Sequence, residues 1–157
     1  MQGASDTPIA AYRETAPQIA RGMTPADIGN IMSAAMTKRG ATPAFTLVLL
    51  GEASAYPHGT GKRQEVRPGE IVLMDCGCSV EGYQSDISRT LVMGEASKQQ
   101  RSVWDLVRRG QQIAFETAKV GTPAGAIDDA VRAAYEKAGY GPGYKLPGTS
   151  HRTGHGI

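Results

Sequence analysis

The stretch from Glu70 to Met93 restricts the fold more than any other part of the chain. It reads as two strands, GEIVLMDCGCS and YQSDISRTLVM, joined by a turn at Val80-Glu81-Gly82. Each strand carries an aspartate. Asp75 is set inside the apolar run IVLMDCG, where an ionised carboxylate is costly unless a cation or hydrogen bonds compensate it. Asp86 follows the turn, which can return it alongside Asp75, and strand alternation then allows both carboxylates to face one pocket. Two carboxylates that close repel each other at low effective dielectric, so the pair calls for positive charge between them. Singly, each has a plainer reading: Asp75 as a turn-capping carboxylate, Asp86 as an ion-pair partner of Arg89.

The rest of the chain supplies helices and one more strand. A first helix is expected from Asp6-Thr7-Pro8 onward, kinked or divided by Pro17. Thr24-Pro25 opens a second, with Thr24 as N-cap and Asp27 as its capping partner. Ile28, Ile31, Met32, Ala35 and Met36 share one face of it, and Gly40 ends it. Phe45 to Leu50 reads as a buried strand. Helix character returns at Ser97, with Val103, Leu106, Val107, Gly110, Ile113 and Ala114 at three- and four-residue spacing. Thr122-Pro123 opens a last helix that Gly139 closes. The two helical stretches resemble each other in their QIA start, Thr-Pro cap, apolar spacing and final Gly. If that repeat is real, the second half lacks its sheet, and the tail GYGPGYKLPGTSHRTGHGI holds too much glycine and proline to close a core alone.

Charge and hydropathy exclude several classes of function. Seventeen basic and fifteen acidic residues leave a net charge of +2, with no basic cluster, so neither nucleic acid nor an anionic membrane is expected as a partner. The longest apolar runs are strand-sized, far short of a bilayer span. The N-terminal residues show no basic and apolar pair of regions of a secretory signal, and a cytoplasmic location is expected. Cys76 and Cys78 alternate on one strand and so share a face, a poor geometry for a disulfide; small buried hydrophobes is the simpler reading.

All three histidines lie in glycine- or proline-flanked segments: His58 in YPHGTG, His151 and His155 in SHRTGHGI. Carboxylates together with imidazole suit a divalent ion such as Mn²⁺, Co²⁺, Fe²⁺ or Zn²⁺. Carboxylates able to bridge favour two such ions.

From Thr24 to the last residue the chain resembles the catalytic domain of the M24, or pita-bread, metallopeptidases, the family of Xaa-Pro aminopeptidase, prolidase, methionine aminopeptidase and creatinase. The matching stretches are GMTPADI, AYPHG, RPGEIVLMDCG, GYQSDISRT and SHRTGHGI. The resemblance implies an α+β pita-bread fold, helices packed on a curved antiparallel sheet, with residues 1–157 forming the N-terminal part of a peptidase domain. It implies that Asp75, Asp86 and His155 bind metal, with Asp86 bridging two ions, Mn²⁺ favoured. His58 and His151 would contact the substrate carbonyl or the tetrahedral intermediate. The SHxxGH arrangement and the SDISRT wording are more similar to Xaa-Pro peptidases than to methionine aminopeptidase, so the implied substrate is a short peptide with proline second. The resemblance also allows a homodimer.

The same family uses two glutamates and usually a further histidine downstream of the GHGI segment, and no Glu follows Glu136. The domain is therefore expected to be C-terminally truncated and inactive, or nearly so, as written. Two other functions fit the residues: a non-catalytic pita-bread module that binds peptide or protein, and a creatinase-like C–N hydrolase.

Overall fold

The computed structural model describes residues 1–149 and 151–154. Two compact units divide the chain, one from Met1 to Ala96 and one beginning at Ser97.

In the first unit, helices α1 (Gln2–Thr15) and α2 (Pro25–Thr37) pack on a four-stranded antiparallel sheet. Its strands are β1 (Thr42–Leu50), β2 (Ile71–Val80), β3 (Tyr83–Gln84) and β4 (Ile87–Val92). β2 is central, pairing with β1 on one side and with β3 and β4 on the other. Alternation sorts β2 into two faces. Val72, Met74, Cys76 and Cys78 are buried in one core with Ile28, Met32, Met36, Val48 and Leu50. Side chains of this kind contribute roughly 1.5–3 kcal/mol each on full burial. Ile71, Leu73, Asp75, Gly77 and Ser79 fall on the opposite face.

α2 starts as its sequence dictates. The Thr24 hydroxyl accepts the N–H of Asp27, and the Asp27 carboxylate accepts the N–H of Thr24 at 2.8 Å, a reciprocal capping box. The N–H of Thr24 and then its hydroxyl, both donating to the Asp27 carboxylate, hold that carboxyl below its usual range. Pro17 does not divide a longer helix: α1 stops at Thr15, and Pro17 lies in a short 3-10 turn at Ala16–Gln18. The other end of α1 departs from expectation: the helix begins at Gln2 and runs through Pro8 instead of starting there. Pro8 has no N–H to give Ala4, four residues back. The Cys78 thiol, 3.7 Å from the Ala4 carbonyl oxygen, donates in its place. A donor distant in sequence thus keeps a proline inside the helix.

The second unit holds α3 (Lys98–Thr117) and α4 (Ala124–Lys137), packed together, and the segment after them. Ser97 and Gln100 form a capping box on α3. Thr122 does not repeat the role of Thr24. Gly125 stands where Asp27 stands in the first half, so no reciprocal box can form, and the Thr122 hydroxyl donates instead to the Thr117 carbonyl at 3.2 Å. Among the described residues, no helix is long and apolar enough to cross a membrane.

Candidate active site

The site begins with the register of the β2 hairpin. Val80 pairs with Tyr83 across the two-residue turn Glu81-Gly82, both with positive φ, which matches the twist of the flanking strands. Glycine at 82 takes that conformation without strain. Counting back from this turn puts Asp75 opposite Ser88 and Cys76 opposite Ile87. Ser88 donates its hydroxyl to Asp75 Oδ1 at 2.6 Å, fixing the plane of that carboxylate. Asp86 lies between Ile87, which pairs with buried Cys76, and Ser85, whose hydroxyl donates to the Cys78 carbonyl at 3.1 Å. Its neighbours both turn toward the helices, so Asp86 turns to the other face, with Asp75 and Ser88. Asp86 precedes β4 and is not itself paired, but this orientation puts its carboxylate on the same face as that of Asp75.

A local irregularity shapes this corner. The N–H of Cys78 donates to the Ser85 hydroxyl at 3.2 Å, while the N–H of Ser85 donates to the Cys78 carbonyl at 2.9 Å. The Ser85 carbonyl meanwhile lies so close over Gly77 that a Cβ at that position would overlap it, and the Phe45 ring closes the same space from β1. Gly77 is required by this close approach.

Behind the sheet, Tyr12 of α1 ties both aspartate-bearing strands together. Its hydroxyl lies 3.0 Å from the carbonyl of Met74 and 2.5 Å from that of Ile87, the residues next to Asp75 and Asp86. Burial, the Cys76 thiol and the negative charge of Asp75 all push its phenol far above the ordinary range. Burial likewise pushes the Cys76 thiol up to about 11, against a lowering hydrogen bond from Tyr12 and with a smaller push from Asp75.

His58 lines a cleft of 520 Å³ along β1, with the start of α2 and the Gly59–Gly61 loop. Leu47, on the wall of that cleft, pairs directly with Asp75. His58 and Asp75 therefore flank one β1 residue without sharing the cleft. His151 belongs to the second unit, where its carbonyl accepts from Arg132 Nη2 at 2.6 Å. His155 lies outside the described residues. Among the described residues, no three His, Cys, Asp or Glu side chains are grouped to hold a metal. Asp75 and Asp86 remain as a pair of oxygen donors on one face, chemistry that suits a divalent cation. Neither Ser88 nor Tyr12 stands out in the sequence, although counting back from the Glu81-Gly82 turn places Ser88 opposite Asp75.

The model of metallopeptidase family M24 matches residues 1–157. The chain belongs to that family. Over 112 residues it is 41% identical to the Xaa-Pro dipeptidase of Lactobacillus helveticus, a match covering 71% of this chain and 29% of the relative. An X-Pro aminopeptidase from Thermotoga maritima superimposes with a TM-score of 0.84 at 34% identity, over 88% of this chain and 40% of that one. The prolidase from Pyrococcus furiosus gives 0.83 at 30% identity, over 92% and 43%. The fold is thus the α+β pita-bread class, and the M24 chain spans less than half the length of each of these proteins.

Proposed function

We propose that this M24 chain carries part of the metal centre of a peptidase that hydrolyses the bond before proline in short peptides. In this reading Asp75, Asp86 and His155 would hold divalent metal, two ions with Mn²⁺ favoured. Such ions, when bound, polarise a carbonyl and make water a nucleophile near neutral pH. The chain's own residues supply orientation and charge. Ser88 fixes the carboxylate plane of Asp75. Tyr12 holds the backbone on either side of the pair, so the two carboxylates keep their spacing. The imidazoles of His58 and His151 donate to the substrate carbonyl oxygen and stabilise the charge that develops there.

The observation that carries this reading is that the hairpin register turns Asp75 and Asp86 to one sheet face, in a chain of a metallopeptidase family. The names of the relatives support the proline specificity. Calorimetric titration with Mn²⁺ tests it. The native chain takes up Mn²⁺, and Asp75→Asn and Asp86→Asn each weaken uptake at least about tenfold, as loss of a charged ligand requires. No uptake, or uptake indifferent to both substitutions, removes the reading and leaves a metal-free binding module.

A further inference from the structure

The segment that presents His151 is held from α4 by one buried cation. Arg132 is 8% exposed, and its guanidinium spends its donors on the segment's backbone. Nη1 donates to the carbonyls of Gly143 at 2.7 Å and Thr149 at 3.2 Å, and Nη2 donates to that of His151. The Tyr144 ring stacks on the same guanidinium at 3.8 Å. One turn earlier, Asp128 accepts from Arg132 Nε at 2.8 Å through one oxygen. Through the other it accepts both the N–H and the hydroxyl of Thr153, at 2.9 and 2.8 Å. Burial works against the Asp128 charge, but the Arg132 and Thr153 hydrogen bonds outweigh it and hold the carboxyl below its usual range. Such a segment, rich in glycine and proline, has few means of its own to hold one conformation.

We propose that Asp128 and Arg132 are positioning residues for His151: the planar guanidinium fork fixes the carbonyls before and at the histidine, and the carboxylate fixes Thr153 after it. The proposal rests on the reading of His151 as a substrate-facing imidazole. Lysine keeps the charge at 132, but a single ammonium cannot bridge three separated carbonyls.

The test is nuclear magnetic resonance on the whole chain, in the native form and as R132K. The His151 imidazole signal in R132K moves toward its position in the urea-unfolded chain. The carbonyl carbon signals of Thr149 and His151, which lose their guanidinium donors, move the same way, and the Thr153 amide, whose acceptor Asp128 loses its partner Arg132, exchanges at least about tenfold faster. The Val131 amide in α4 and the His58 imidazole in the other unit stay as they were. Thr153→Val, which deletes only the hydroxyl donated to Asp128, gives a smaller acceleration of the amide at position 153 and a smaller shift of the His151 signal, so the proposal stays testable should R132K fail to fold. An unmoved His151 signal, or acceleration that only follows global unfolding, overturns the proposal. None of these readouts needs metal or turnover. A failed Mn²⁺ titration therefore removes the peptidase reading alone, and an unchanged His151 removes the positioning role alone.

Discussion

Gly77→Ala adds a single methyl group at the corner between the two aspartates. The new Cβ would overlap the Ser85 carbonyl and the edge of the Phe45 ring, with a further ring carbon at 3.0 Å. Phe45 is 39% exposed and can swing aside. The Ser85 carbonyl is backbone, and it moves only if the chain leading into β4 moves with it. Against backbone, overpacking falls in the upper part of its usual range, at roughly 2–3 kcal/mol. Replacing a strand glycine by alanine returns roughly 0.5–1 kcal/mol of backbone entropy. The net expectation is a loss of about 1–2.5 kcal/mol, or a fall in Tm of roughly 2–10 °C for a chain of this size. Thermal unfolding followed by circular dichroism measures it. Gly125→Ala is the matched control: it lies in α4 with nothing within 4 Å of the added methyl, and should stabilise by up to about 1 kcal/mol. A Gly77→Ala protein as stable as the native one would refute the reasoning. So would full recovery in Gly77→Ala/Phe45→Ala, because the ring alone would then be the obstacle.

Two further outcomes follow from the core. Cys78→Ala leaves the Ala4 carbonyl without its thiol donor and should cost about 1–2 kcal/mol. In a Pro8→Ala background the N–H restored by that substitution takes over the same carbonyl, so a double-mutant cycle by urea unfolding should show coupling of about 1 kcal/mol, and strict additivity would contradict it. Cys76 sets a pH dependence. Its thiol rises from 9.0 to about 11 in the folded state, so the native protein keeps a proton that the unfolded chain loses. Stability is then unaffected below 9 and falls as pH climbs toward 11. Subtracting the profile of Cys76→Ala isolates this component, and a difference that is flat or rises with pH contradicts the assignment.

Much of this architecture is legible in the residues. Thr24 and Asp27 specify the start of α2 because a reciprocal cap needs only local chemistry. The two-residue turn at Glu81-Gly82 fixes a register that carries Asp75 and Asp86 to one face. The interactions that escape a reading of the sequence are those between residues distant along it. Pro8 reads as a helix start until the Cys78 thiol is seen at the Ala4 carbonyl. Gly77 reads as an ordinary strand glycine until Ser85 is seen pressed over it. The spacing of Asp128 and Arg132 suggests only a helical ion pair, and their hold on the segment around His151 comes from packing after α4. The cleft that His58 lines runs along β1 and does not include Asp75, a separation that the segment YPHGTG does not reveal.

The central claim is that Asp75 and Asp86 act as one cation-binding pair. Substoichiometric Mn²⁺, whose unpaired electrons broaden nearby resonances, tests this in the whole chain. The amides from Met74 to Cys76 and from Ser85 to Ile87 should broaden first and together, and both sets should recover in either Asp75→Asn or Asp86→Asn. Broadening centred on the acidic residues of the loop region instead, Glu52, Glu65 and Glu70, or broadening of one strand without the other, would contradict it.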